Sequence, residues 1–230
     1  MSDWISPEVN GSAWRARLAQ AANRAYVRGY HRLKVLTPCA LPRTGPAILV
    51  CNHISGLDPA LIQCTTRRLI VWMMAREYYE QRGLTWFFRA ISAIPVEREK
   101  RDLTSLRRAM RVLAAGHVLG VFPEGRLETT RELLPFQTGV AMLAIKTGTA
   151  VYPSWLEGTQ RKAASMLQAW LQPQEGCLAY GPAVDLSRFA GRVSDVQLST
   201  NVIQEAVQRL RQDHCLRPLE KNRNKIPTDG

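Results

Sequence analysis

Ala47-Ile48-Leu49-Val50-Cys51 runs directly into Asn52-His53-Ile54-Ser55-Gly56-Leu57-Asp58-Pro59. The five apolar residues read as a buried strand. Leu61 and Ile62 begin a second apolar segment, and Asp58-Pro59 reads as its helix start, with Asp58 as N-cap and Pro59 at the first helical position. His53 therefore stands where a strand gives way to a loop, with a carboxylate on the same loop. A carboxylate can fix an imidazole tautomer and steady the imidazolium formed when the ring takes a proton. Taken alone, the pair is outweighed by a plainer reading, in which Asp58 caps its helix and His53 bonds only to backbone.

The same strand-then-helix rhythm continues outward. Leu69 to Met73, Ile94-Pro95-Val96, Val118 to Phe122, Ala150 to Leu156 and Gly176 to Tyr180 read as strands. Residues 76 to 91 (interrupted by Gly83), 103 to 115 (capped by Asp102), 136 to 146, 161 to 171 and 199 to 213 read as helices. The cluster Trp86-Phe87-Phe88 reads as core first and as a greasy pocket wall second. Alternation of this kind predicts an α/β fold: a mixed, largely parallel central sheet flanked by helices.

Ahead of it, residues 12 to 34 read as one amphipathic helix. Trp14, Leu18, Ala21, Ala25, Gly29 and Leu33 recur at spacings of three and four, and Arg17, Arg24, Arg28 and Arg32 form a basic stripe beside them. Two readings balance for that segment: a helix packed on the core, or a helix lying on anionic lipid. The expected organisation is an N-terminal helical element over 1–40, an α/β domain over 41–216, and a polar basic tail over 217–230.

The chain has 230 residues and a net charge of +12, which favours an anionic partner: nucleic acid, an anionic membrane face or an acidic substrate. Its five cysteines are widely spaced and form no C-x-x-C, so neither a disulfide framework nor a metal site is expected, and a reducing compartment fits. The longest unbroken apolar run, Leu69 to Ala75, has seven residues. A spanning helix needs ~20. No membrane span and no signal pattern are expected. There is no G-x-S-x-G for a serine hydrolase. Cys51, two residues from His53 on an extended chain, remains a weak rival nucleophile.

Charged residues gather after strands: His53 with Asp58, Arg98 after Ile94-Pro95-Val96, and Glu124-Gly125-Arg126 after Val121-Phe122. Chemistry in α/β sheets collects at the carboxyl ends of strands. Arginine suits phosphate because its planar fork makes bidentate contacts, and Gly125 permits a sharp turn or a close approach.

The ordered blocks Asn52-His53-x-x-x-x-Asp58, Ile94-Pro95-Val96-Glu97-Arg98, Phe122-Pro123-Glu124-Gly125-Arg126 and Val151-Tyr152-Pro153, with Phe136-Gln137-Thr138-Gly139-Val140 before the last, resemble the glycerolipid acyltransferase family of 1-acyl-glycerol-3-phosphate acyltransferases. The resemblance covers about Pro46 to Gly158. It implies transfer of a fatty acyl group from acyl-CoA or acyl carrier protein to a lysophospholipid hydroxyl, with no cofactor. It implies that His53 is the general base and Asp58 its orienter. Arg98, Glu124, Gly125 and Arg126 would shape the acceptor's phosphoglycerol site. It also implies a peripheral position on the cytoplasmic face of a membrane, with no nucleic-acid partner. Here Glu124-Gly125-Arg126 lacks the threonine of the commoner E-G-T-R block, Glu97 stands where aspartate is frequent, and Tyr152 is bulkier than usual. The shortened block is similar to that of 2-acyl-glycerophosphoethanolamine-type enzymes, which leaves open another lysolipid headgroup, ornithine-lipid-like acceptors included. The remaining alternative is a non-catalytic basic lipid- or nucleic-acid-binding protein.

Overall fold

A computed structural model describes residues 13–216 apart from 82, 84, 99–101, 128–131, 160–165, 187–188 and 190–194. The helices are α1 (Ala13–Tyr30), α2 (Asp58–Gln63), α3 (Arg76–Tyr79), α4 (Thr85–Ala90), α5 (Leu103–Ala114), α6 (Gly139–Thr147), α7 (Met166–Leu171) and α8 (Val196–Leu210). The strands are β1 (Arg32–Val35), β2 (Ala47–Cys51), β3 (Ile70–Ala75), β4 (Ile94–Val96), β5 (Val118–Val121), β6 (Val151–Glu157) and β7 (Glu175–Tyr180).

The strands form one sheet in the order β1-β7-β6-β2-β5-β3-β4. From β6 to β4 all neighbours are parallel; β7 runs antiparallel to β6, and β1 parallel to β7. The sheet is thus mixed and largely parallel, as expected. β2 lies between β5 and β6, and each of its five residues is buried. A strand covered on both faces has no use for alternation, which is why Ala47 to Cys51 is apolar throughout.

Helices cover both faces. On one, Ile48, Val50, Val71 and Leu119 pack with Ala109 and Leu113 of α5, Leu143 of α6, and Ile203 and Val207 of α8. On the other, Leu49, Cys51, Ile70 and Trp72 pack with Val27 of α1 and Leu61 and Ile62 of α2. Fully burying one such aliphatic side chain contributes about 1.5–3 kcal/mol.

The N-terminal segment departs from expectation. The helix expected to residue 34 ends at Tyr30, and residues 32–35 are an edge strand paired to β7. The boundary expected at residue 40 therefore falls within the sheet unit. Arg32 and Val35 are exposed, so backbone pairing, and not side-chain burial, holds this strand. The reading in which Leu18, Ala21, Ala25 and Gly29 meet the core is also corrected. All four are exposed, Leu18 at 62%. The docked face carries Val27, which is buried, Asn23, whose Nδ2 donates to the Ala60 carbonyl at 2.9 Å, and Arg24, which donates to the Thr66 carbonyl at 3.2 Å. Trp4, the side chains of Trp14 and Arg17, and the tail from residue 217 lie outside the described residues.

Smaller corrections follow from tertiary bonds. The helix expected from Phe136 starts at Gly139, because the Phe136 N–H donates to Gln204 Oε1 and the Gln137 N–H to the Pro123 carbonyl. Residues 161–165 of the next expected helix are outside the described residues, and α7 starts at Met166. The final helix spans Val196–Leu210 and continues as a π-helical turn over Arg211–Leu216. The aromatic cluster divides: Trp86 is 70% exposed, whereas Phe88 is buried beside Tyr79.

Candidate active site

β2 ends at Cys51, and Asn52 continues its pairing without backbone. Its buried amide donates through Nδ2 to the Leu156 carbonyl and accepts at Oδ1 from the Leu156 N–H, both at 2.8 Å. The side chain imitates one further rung of the β2–β6 ladder. The backbone is thereby released, and His53 stands at the carboxyl rim.

The expectation that Asp58 caps α2 is not met. Asp58 is the first helical residue, Leu57 occupies the cap position, and no side chain caps this end. The carboxylate turns back into the loop. Oδ2 accepts the Ile54 and Ser55 N–H groups, both at 2.8 Å, and His53 Nδ1 at 3.0 Å. Oδ1 faces the Thr159 hydroxyl at 3.5 Å. Asp58 is fully buried. A buried carboxylate is stable only when its oxygens are hydrogen-bonded, and here the loop supplies the donors. An ionised carboxylate can only accept, so this contact favours the His53 tautomer with its proton on Nδ1, in which Nε2 is the acceptor. The His53 side chain is 19% exposed.

The adjacent turn after β5 supports that ring. Glu124 is buried, and its Oε1 accepts the His53 N–H at 2.8 Å while Oε2 accepts the Leu134 N–H at 3.0 Å. Gly125 has φ +69°, and a Cβ there would lie 2.4 Å from Gln137 Nε2. Both facts exclude a larger residue without rearrangement. Arg126 follows on this turn and is exposed. The ring of Phe122 stacks on His53, with centroids 4.0 Å apart and planes 12° apart.

Of the residues singled out from sequence, His53, Asp58, Glu124 and Gly125 come together, with Arg126 next to them. Arg98 does not join them. Its strand β4 stands three places from β2, roughly 14 Å along the sheet at ~4.8 Å per strand. Its guanidinium pairs with Glu77 at 2.6 Å. Cys51 is no rival nucleophile: burial, the largest cause, together with the nearby Asp58 and Glu124 charges, pushes its thiol well above the usual range. Sequence reasoning assigned no role to Asn52, Phe122, Gln137 or Thr159. Asn52, Phe122 and Gln137 stood inside the quoted blocks without a role of their own, and Thr159 carried no signal.

An open α/β sheet with a histidine–aspartate couple at the carboxyl rim of a central strand defines a class of proteins equipped for proton transfer at a strand end. The acyltransferase family model matches residues 32–157, more than half of the chain, and the chain belongs to that family. It is similar to the 1-acyl-sn-glycerol-3-phosphate acyltransferase of Bacillus subtilis, 24% identical over 127 residues, 55% of this chain and 63% of that protein. It is also similar to the enzyme of the same name from Streptococcus pneumoniae, 24% identical over 167 residues, 71% of this chain and 60% of that protein. The chain spans about half the length of the curated relatives it matches. The crystal structure of the 1-acyl-sn-glycerophosphate (LPA) acyltransferase PlsC from Thermotoga maritima shares the fold, with a TM-score of 0.67, 22% identity, and coverage of 86% of this chain and 81% of that one.

Proposed function

We propose that the protein transfers a fatty acyl group from a thioester, acyl-CoA or acyl carrier protein, to the free hydroxyl of a lysophospholipid, with 1-acyl-glycerol-3-phosphate as acceptor. One observation carries the chemistry: His53 Nδ1 lies 3.0 Å from a fully buried Asp58 carboxylate that other donors hold in place. An alcohol is a poor nucleophile at neutral pH. His53 Nε2 takes its proton as the oxygen attacks the thioester carbon. Asp58 keeps Nδ1 protonated and steadies the imidazolium. The tetrahedral intermediate collapses with loss of the C–S bond, and the proton on Nε2 passes to the leaving thiolate. No acyl-enzyme forms.

The names of the relatives support the acceptor. Arg126, exposed on the turn two residues after Glu124, is the proposed partner of its phosphate, and Glu124 serves the site by holding the His53 backbone. The protein lies on an anionic membrane surface through α1. That helix turns Leu18, Ala25 and Gly29 outward, beside a shallow apolar cavity of about 290 Å³ formed with Tyr30, Trp170 and Leu171. Among the described residues no helix is long and apolar enough to cross a membrane.

The test is incubation of the purified protein with a lysophospholipid panel and both thioester donors, with mass detection of products. Diacyl product from 1-acyl-glycerol-3-phosphate, absent with His53→Ala, is the expected result. A folded His53→Ala protein with near-normal turnover, or acyl-thioester on Cys51, overturns the reading.

A further inference from the structure

We infer that Phe122, seated on Trp72, is a positioning residue for His53, and that the three rings form a column that fixes the plane of the imidazole and aims Nε2 outward. The inference rests on the proposed role of His53 as base.

Two hydrogen bonds locate His53 without fixing its ring plane. Glu124 holds the backbone N–H and Asp58 holds Nδ1. The ring torsion of histidine is broad, so the imidazole can still tilt about the Asp58 contact. A flat ring against one face removes that freedom. Phe122 supplies it at 4.0 Å and 12°, and Trp72 stacks in turn on Phe122 at 4.8 Å and 8°. Near-parallel stacking at these distances is an attractive aromatic arrangement. Trp72 is buried in the sheet face that packs on α2, so the column has a rigid foot. Phe122 is only partly buried.

Gly120 makes room for that foot. β5 lies beside β3, and a Cβ on Gly120 would stand 2.5 Å from Trp72 Cε3 and 2.6 Å from Ile70 Cγ2. Only a residue without a side chain lets the indole lie across β5. The effect runs Gly120, Trp72, Phe122, His53, from the middle of the sheet to the ring that takes the proton.

Phe122→Leu keeps apolar bulk but removes the flat face. The expected result is a kcat roughly ten-fold lower, the rate equivalent of one stacked pair, with the KM values of both substrates unchanged. Phe122→Tyr restores the face and should restore kcat. The second readout is independent of activity. In proton NMR spectra the His53 ring resonances, assigned by their loss in His53→Ala, should be shifted upfield by the Phe122 ring current, and Phe122→Leu should abolish that shift. Gly120→Ala should displace Trp72 and lower kcat in the same way. Circular dichroism checks folding, and a failure of Gly120→Ala to fold leaves Phe122→Leu as the deciding variant. Loss of the upfield shift with an unchanged kcat, while His53→Ala is inactive, overturns the positioning role but spares the base assignment. An active His53→Ala overturns both.

Discussion

Asp58 and Asp102 both stand at the start of a helix, and they spend their carboxylates differently. Asp102 caps α5: its Oδ1 accepts the Thr104 and Ser105 N–H groups at 3.0 Å, and its Oδ2 accepts the Glu97 N–H at 3.1 Å. Asp58 leaves its own helix uncapped and gathers the loop before it, with His53 included. One carboxylate fastens β4 to α5. The other assembles a site. Where the oxygens point, and not the residue type or its place before a helix, separates the cap of Asp102 from the orienting role proposed for Asp58. The same contrast separates two arginines at the rim: Arg98 is paired to Glu77, and Arg126 is exposed on the turn beside His53.

The largest effect should come from Asp58→Asn. The proposed base would lose the negative charge beside Nδ1, and an amide N–H turned toward the ring would favour the wrong tautomer, so kcat should fall by about 10²–10⁴-fold. Steady-state kinetics on protein whose folding is confirmed by circular dichroism measure it; a folded variant with normal turnover would erase the distinction between the two aspartates.

Next comes Arg126→Ala. The proposed charge-assisted bond to the acceptor phosphate would contribute about 1.5–3 kcal/mol, so the acceptor KM should rise by roughly ten-fold or more while the thioester KM stays the same. Arg98→Ala removes an exposed ion pair and should cost less than about 1 kcal/mol of stability, with little change in the acceptor KM. An equal acceptor effect for both arginines would refute the difference drawn between them.

Asp102→Ala should lower stability by about 1 kcal/mol, the ordinary cost of a lost cap, and leave kcat as it was. Urea denaturation reads the first quantity and initial rates the second.

The smallest effect is a pH dependence of that cap. Burial pushes the Asp102 carboxyl upward, but the amides of Ser105, Glu97 and Thr104 outweigh it and hold the group below the usual carboxylate range. A value depressed on folding contributes stability above the unfolded value, ~4, and loses it as pH falls through the folded one. The gap between the urea midpoints of wild type and Asp102→Ala should therefore be full at pH 7 and narrow toward pH 3. A constant gap would mean that the carboxylate charge plays no part.

Central parts of this fold were legible because local pattern and tertiary burial agree there. β2 and β4 match their apolar runs residue for residue, and Asp102 caps the helix that it precedes. β1 was not legible. Arg32-Leu33-Lys34-Val35 is too exposed to show a burial pattern, and it is a strand only because β7 arrives beside it. α1 was legible as a helix but its packing face was not: its small residues at helical spacing face outward, and the buried contact is made by Val27 among polar neighbours. At the site, His53 and Asp58 could be paired from their loop. The inward turn of Glu124 toward the His53 amide, and the seating of Phe122 on Trp72, depend on β5 lying between β2 and β3, an order that no local spacing encodes.

The pairing of β1 with β7 also has a consequence in time. Arg32 and Glu175 are 143 residues apart in the chain. At 5–20 residues per second, a ribosome takes roughly 7–30 s to deliver the second after the first. For that interval β1 has emerged with its ladder groups unpaired, before β7 exists to receive them. Unpaired strand edges invite foreign partners. Synthesis order thus leaves β1, which emerges well ahead of its partner β7, unpaired until late.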